Sequence, residues 1–343
     1  MTTKKSAEKK LVSIKKSPKS LGKPMKGRDI LVKALVNEGV TVIFGYPGGA
    51  SMEIHQGLTL APKIRMVLPR HEQGGSFAAG GYARATGEVG VCLATSGPGA
   101  TNLITGIIDA KMDSIPIVAI TGQVPSTVLG SDAFQETDIM GATFPLVKHS
   151  YMIQNVAEIP RIIHEAFHIA RTGRPGPVLV DIPKNIQQQE GVADFDVTFD
   201  VPSYRPNLKP SILQCKKAAH TIQAAKRPII YAGGGIISSG ASAELRAFVK
   251  KTGIPITTTV MGLGAYPSTD PLSLRMLGMH GAVYANIAMN HADLVIAMGV
   301  RFDDRVTGKL AEFCKNAQII HIDIDPTEIN KNIVVALPIQ GDV

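Results

Sequence analysis

One carboxylate stands out by its surroundings. Glu72, in the run Arg70-His71-Glu72-Gln73-Gly74-Gly75, opens a stretch of Gly, Ala and Ser with helical spacing. A glutamate in a first helical turn ordinarily complements the helix dipole. The turns that follow Glu72 are too small-residued to make a solvated face, so a buried helix with a partly desolvated carboxylate at its mouth is expected. Burial raises the pKa of such a group while the dipole lowers it, and the sequence leaves that balance open. Four joints rich in Gly and Pro, at 45–49, 69–75, 95–99 and 121–125, follow or bracket apolar runs. Glycine at such joints lets backbone approach a ligand closely. Each joint alone reads equally well as a tight turn. Four of them with a single carboxylate read as a site.

Other candidates are weaker. The run Gly233-Gly234-Gly235 starts a dinucleotide-type pattern but has Ser238 where the third glycine belongs. Asp303-Asp304-Arg305, taken alone, reads as a surface ion pair. His164 and His168 stand one helical turn apart with no third ligand suggested, so a plain helix face is the better reading. Met276 and Met279 beside His280 suit packing. Cys92, Cys215 and Cys314 match neither a disulfide framework nor a zinc site, which points to a reducing cytoplasm.

The elements that must hold these residues alternate. Helical spacing over 28–38, 72–86, a stretch after the 95–99 loop to about 111, and 158–171 is interleaved with apolar strands at 41–44, 64–68, 89–95, 115–121 and 177–182. After a proline-rich stretch the alternation restarts, with helices at 211–225 and 241–251 and strands at 228–232, 254–260, 293–298 and 318–324. The fold expected is α/β, with two open, mainly parallel, doubly wound sheets. The boundaries read as a disordered basic tail over 1–25, a first domain over 26–186, a linker over 187–210 and a second domain over 211–343.

Composition narrows the function classes. With 44% apolar and 19% charged residues over 343 positions, there is material for two packed cores. The net charge of +8 sits in the tail, where residues 1–26 hold nine lysines and one acid, so the body is neutral and offers no basic nucleic-acid face. Aromatics at 5% and no Trp also disfavour stacking on single strands. No apolar run is long enough to span a membrane.

Longer strings carry a resemblance. GYPGGA, RHEQGG, GYARATGEVGVCLATSGPGATN, TGQVP, SDAFQETD and GRPGPVLVDIPKN, followed by MLGMHG, GVRFDDRVTG and HIDIDPTEINK, closely resemble the acetolactate synthase (acetohydroxyacid synthase) family. The resemblance runs from about Met25 to Val343. It implies a thiamine-diphosphate enzyme of branched-chain amino-acid synthesis, with a pyrimidine-binding domain and an FAD-binding central domain. It implies decarboxylation of pyruvate and carboligation to a second pyruvate or to 2-oxobutyrate. Glu72 would hydrogen-bond N1′ of the aminopyrimidine and favour its imino tautomer, with Gly49 and Gln135 beside it as catalytic positions. Tyr46, Thr95, Pro98 and Asn102 would complete the thiamine diphosphate site, and Pro125, Ala133, Phe134 and Lys184 the substrate channel.

The resemblance also assigns a flavin without net redox role to Arg174, Gly233, Gly234, Gly235, Thr259, Met279, His280, Gly299, Arg301, Asp303, Arg305, Val306, Asp323 and Asp342. Arg174, Arg301 and Arg305 would suit the pyrophosphate, and Asp323 the ribose hydroxyls. It places Mg²⁺ on a Gly-Asp-Gly motif of a third domain, which this sequence does not contain; the only Gly-Asp is Gly341-Asp342. No metal ligands are therefore expected in this chain. The expected partners are a second copy, in a homodimer or homotetramer, and a small regulatory subunit. A different thiamine-diphosphate carboligase or oxidase, or a catalytically silent flavin-binding protein, stay open as alternatives.

Overall fold

The computed structural model describes residues 22–196, 201 and 203–343. Most of the basic tail and part of the expected linker lie outside the described residues. Two six-stranded sheets, parallel throughout, organise the rest.

In the first sheet the spatial order is Arg65–Val67, Val42–Gly45, Gly90–Ala94, Ile117–Gln123, Val178–Pro183 and His149–Met152. The three strands Gly90–Ala94, Ile117–Gln123 and Val178–Pro183 are buried at every position. This explains why they read as continuous rather than alternating apolar runs: helices cover both faces. Helix Gly27–Asn37 and helix Ile159–Arg171 close one face. The latter buries Ile159, Ile162, Ile163, Ala166, Phe167 and Ala170, the three-and-four spacing of a single stripe. Helices Glu72–Thr86 and Ile104–Asp113 close the other face.

The small-residue helix approaches very closely. A Cβ on Gly90 would lie 2.1 Å from the Ala79 carbonyl oxygen, and one on Gly106 would lie 2.2 Å from Ser76 Oγ. Glu72–Thr86 is buried on the face carrying Gly75, Ser76, Ala79, Gly80 and Ala83, but Phe77 on its other side is exposed. The expected burial holds for one face only.

The second sheet runs Ser273–Met276, Ile256–Thr258, Pro228–Ala232, Leu294–Met298, Gln318–Asp323 and Leu337–Gln340. Numbered along the chain within this sheet, that is third, second, first, fourth, fifth, sixth, the doubly wound order of dinucleotide-binding folds. The order reverses between Pro228–Ala232 and Leu294–Met298. In the first sheet the corresponding reversal lies between Val42–Gly45 and Gly90–Ala94.

Several expectations need correction. The helix expected to run unbroken to about 111 is two pieces, Pro98–Asn102 and Ile104–Asp113, meeting at Leu103. Helix Met52–Thr59, strand His149–Met152, strand Ser273–Met276, helix Val283–His291 and strand Leu337–Gln340 were not foreseen. The edge strands among them are only half-buried and lack an apolar run. Of residues 187–191, expected as the start of a linker, 187–188 end helix Lys184–Gln188 and 190–191 form strand Glu190–Gly191, with Gln189 between them. That strand pairs antiparallel with Met25–Lys26, part of which was expected as tail. The clasp is tight: Gly27 N–H donates to Gln189 O at 2.8 Å, and a Cβ on Gly27 would fall 2.0 Å from Ile186 O.

The two sheets touch. Arg174 donates to Asp325 (3.1 Å), Glu328 (2.6 Å) and Ser114 Oγ (2.8 Å), and Met261 packs against the first sheet's core. Among the described residues no helix is long and apolar enough to cross a membrane.

The Gly90 contact is testable. Gly90→Ala drives a methyl into backbone that cannot yield, and overpacking of this kind costs about 1–3 kcal/mol. Gly81→Ala, in the helix that Gly90 packs against and with nothing within 4 Å, is the control and should be neutral or stabilising. Thermal denaturation of both variants decides; an unchanged transition in Gly90→Ala refutes the contact.

Candidate functional site

Thr95 follows strand Gly90–Ala94 at the reversal of the first sheet. Its Oγ1 accepts a hydrogen bond from Ala50 N at 3.0 Å, which fixes the 45–50 loop. Its methyl fills the space that a side chain at Gly48 or Gly99 would need, since a Cβ there would sit 2.4 and 2.7 Å away. Gly49, between these contacts, has nothing within 4 Å of its Cβ position, so its backbone borders open space.

Glu72 is the first residue of its helix. His71 caps that helix, its Nδ1 accepting from Gln73 N at 3.2 Å. The carboxylate reaches across to the next joint: Asn102 Nδ2 donates to Glu72 Oε2 at 3.0 Å, and Oε1 lies 3.3 Å from where a Gly99 Cβ would be. Pro98 starts the short helix that carries Asn102, and Gly97 before it has φ +58°. A Cβ on Gly97 would be 2.7 Å from Gln135 O. Gln135, also left-handed at φ +59°, is thereby laid on the same joint. Tyr46, which keeps the strand pairing through its N–H to Leu93 O at 3.0 Å, is 38% exposed. Glu72, Gly49, Thr95, Pro98, Asn102, Gln135 and Tyr46 are therefore gathered at one end of one sheet.

The expected channel residues lie on adjoining loops. Phe134 is 88% exposed and Ala133 half-buried. Pro125 is drawn towards Lys184 through Asn185, whose Oδ1 accepts from Ser126 N and whose Nδ2 donates to Ser126 Oγ, both at 2.9 Å. A buried Gln187 completes this edge, Nε2 donating to Ala50 O and Ile182 O at 2.7 Å each. Sequence reasoning missed Asn185, Gln187, Gln123 and Asp181. For Gln123 and Asp181 the available signal was a polar side chain inside or at the end of an otherwise apolar buried strand; Asn185 and Gln187, on the short helix Lys184–Gln188, gave none.

At the second sheet the candidates collect just as closely. Gly233, Thr259, Gly299 and Asp342 each follow the carboxyl end of a different strand, Asp323 ends a fifth, and Met279 and His280 follow the sixth, Ser273–Met276. At the reversal the glycines meet backbone to backbone: a Cβ on Gly235 would be 2.6 Å from Gly299 Cα, and one on Gly233 2.1 Å from Gly299 O. Gly299, at φ +59°, leads into Arg301, Asp303, Arg305 and Val306. Asp303 caps the short helix there by accepting from Arg305 N at 3.0 Å, which leaves the Arg305 side chain exposed. Asp323 accepts from Asp325 N at 2.9 Å. Arg174 comes from the first half of the chain and is engaged by Asp325 and Glu328, so the contact it makes here joins the two halves.

Among the described residues no three His, Cys, Asp or Glu side chains converge to hold a metal ion. The glycine-lined crevices, the free space at Gly49 and the two arginines in the loop after Gly299 suit organic cofactors bearing phosphates.

Comparison with known proteins agrees with both halves. Residues 25–142 match the thiamine pyrophosphate enzyme N-terminal TPP binding domain, and residues 215–343 match the thiamine pyrophosphate enzyme central domain. Acetolactate synthase 3, chloroplastic, of Brassica napus is 57% identical over 322 residues, covering 93% of this chain and 49% of that protein. Acetolactate synthase 2, chloroplastic, of Nicotiana tabacum is 58% identical, covering 93% and 48%. Acetolactate synthase, chloroplastic, of Arabidopsis thaliana is 56% identical, with the same coverage of 93% and 48%. The chain spans about half the length of the curated relatives it matches. The two domain matches, together with the doubly wound second sheet, place the chain in the family of thiamine pyrophosphate enzymes.

Proposed function

We propose that the chain supplies the pyrimidine-binding and flavin-binding parts of an acetolactate synthase. The reaction is decarboxylation of pyruvate and carboligation to a second pyruvate or to 2-oxobutyrate. The observation that carries this reading is the Glu72 carboxylate, held by Asn102 over Gly99 where the strand order reverses, with the open backbone of Gly49 beside it.

Thiamine diphosphate, when bound, supplies a carbon nucleophile and an electron sink for decarboxylation. Glu72 would share a proton with N1′ of the aminopyrimidine. Asn102 orients the carboxylate by engaging Oε2, and the absence of a side chain at Gly99 leaves room at Oε1. Tyr46, Thr95, Pro98 and Gln135 would line the ring and the reacting carbon. Pro125, Ala133, Phe134 and Lys184 would border the entrance, where the Lys184 ammonium attracts the carboxylate of a 2-oxoacid.

FAD would lie across the reversal of the second sheet, in a structural role. The close contact of Gly233 and Gly235 with Gly299 supports this, because it leaves backbone rather than side chains facing the crevice. Arg301 and Arg305 would meet the pyrophosphate and Asp323 a ribose. Mg²⁺ would be held by a Gly-Asp-Gly motif of the kind the resemblance implies, which this sequence does not contain.

A homodimer, or a homotetramer built from it, is supported by the exposed apolar side chains of Phe77, Ile108 and Met112 on the two helices flanking the Glu72 crevice. The unpaired Cys92, Cys215 and Cys314 support a reducing compartment; the names of the relatives place those proteins in the chloroplast.

Three outcomes are expected. With the remaining half of a relative's sequence joined to its end, the chain forms acetolactate from pyruvate, and Glu72→Gln slows turnover about 10²–10⁴-fold. Acetaldehyde or acetyl phosphate as the product, or a loss within about threefold, would overturn the assignment. The chain alone retains a flavin on purification, and Gly299→Val removes it by wedging the two glycine loops apart. A colourless wild-type protein counts against FAD. In sedimentation at micromolar concentration the chain runs as a dimer; a clean monomer of 36.4 kDa would rule that contact out.

A further inference from the structure

Three polar side chains beneath the first crevice have no role in the chemistry above. Asp181 lies on strand Val178–Pro183 directly opposite Thr121 of strand Ile117–Gln123, and Gln123 follows on the same face two residues on. Their exposures are 0%, 0% and 2%. Asp181 Oδ1 accepts from Thr121 Oγ1 at 2.7 Å and Oδ2 from Gln123 Nε2 at 2.9 Å. Burial lifts the Asp181 carboxyl to about 6 against the pull of these two hydrogen bonds, and both of its oxygens accept.

Gln123 is used at every polar atom. Its second amide hydrogen goes to Thr137 O at 2.9 Å, and its Oε1 accepts from Val124 N at 2.9 Å. The orientation of the amide is forced, because the Val124 N–H needs an oxygen and the Asp181 carboxylate needs a donor. Thr137 stands two residues beyond Gln135. The loop before it is closed on itself by Glu136, whose carboxylate accepts from Gly130 N and from Ala133 N at 2.9 Å. A self-closed loop carrying Phe134 and Gln135 is thus tied to the sheet floor through Gln123, and Asp181 holds Gln123 in the one orientation that reaches it.

We propose that Asp181 and Gln123 are positioning residues that fix the Phe134–Gln135 loop over the first crevice. The proposal rests on the reading of Gln135 given under the proposed function. A buried carboxylate without a cation partner is costly to keep, and here its effect is to orient an amide that reaches the site.

Hydrogen exchange followed by NMR on this chain tests the anchoring independently of any cofactor. Gln123→Met keeps the bulk and removes both amide hydrogen bonds. Amides from 130 to 139 should then exchange at least about tenfold faster, with the second sheet unchanged. Asp181→Leu should behave likewise. Asp181→Asn should stay within about twofold of wild type, because its Oδ1 can accept from Gln123 and its amide can donate to the Thr121 hydroxyl. Unchanged exchange in Gln123→Met, or no rescue by asparagine, overturns the proposal.

Should Gln123→Met fail to fold, the wild-type chain decides. Val124 and the loop amides at Gly130, Ala133 and Glu136 must open at one common rate, and a loop exchanging freely while Val124 stays protected overturns it. In the completed enzyme described above, Gln123→Met should lower kcat about tenfold, with flavin retention unchanged and asparagine at 181 again preserving the rate. Full kcat despite a freed loop defeats the positioning role, whereas a wild-type enzyme that makes no acetolactate defeats the site reading instead.

Discussion

The first crevice depends on a threonine wedged between two glycines. Thr95 ends a fully buried strand, and its methyl occupies the volume that side chains at Gly48 and Gly99 would fill. Its hydroxyl secures the loop on one side through Ala50 N, while the absence of a Cβ on the other lets the Glu72 carboxylate settle over Gly99. Enlarge either glycine and the joints separate; shorten Thr95 and nothing sets their spacing. Protein interiors close-packed to this degree transmit such changes instead of absorbing them.

The second sheet solves the same problem with different atoms. Where the first uses a side chain between glycines, the second brings Gly233 and Gly235 directly against Gly299. Both contacts fall where the strand order reverses, the place at which adjacent loops of an open parallel sheet must part and leave a crevice. The two crevices are thus consequences of topology first and of residue chemistry second. Arg174 and Met261 then determine that the two crevices belong to one body of protein rather than to two independent ones.

Much of this was legible in the sequence because buried parallel strands leave a strong signal. Runs such as Val91-Cys92-Leu93-Ala94 are apolar throughout, and the glycine joints after them mark strand ends. Edge strands escaped notice for the converse reason: His149–Met152 and Ser273–Met276 are half-exposed and mixed in character. The break at Leu103 was passed over because Leu103 itself is a good helix former, although Thr101-Asn102 before it and Thr105-Gly106 after it are poor ones. Glu72 and Gly49, which the structure brings to one crevice, stood out in the sequence through their neighbours. Gln123 and Asp181 were passed over, since a hydrogen-bond chain from strand to strand to loop depends on register, and register is not written in local spacing.

The antiparallel clasp between Met25–Lys26 and Glu190–Gly191 has a bearing on how the molecule is made. It joins residues at the two ends of the first sheet's chain, so this contact spans nearly the whole of that half and becomes available only late. During synthesis the strands and helices between can assemble as they emerge, but the clasp waits for Gly191. Contacts of such sequence separation form slowly, since loop closure precedes any gain from them. Until then helix Gly27–Asn37 lacks the cover of Ile186 and presents an apolar stripe to its surroundings. The nascent first half therefore has a vulnerable interval of fixed length, set by where the chain returns to its own beginning.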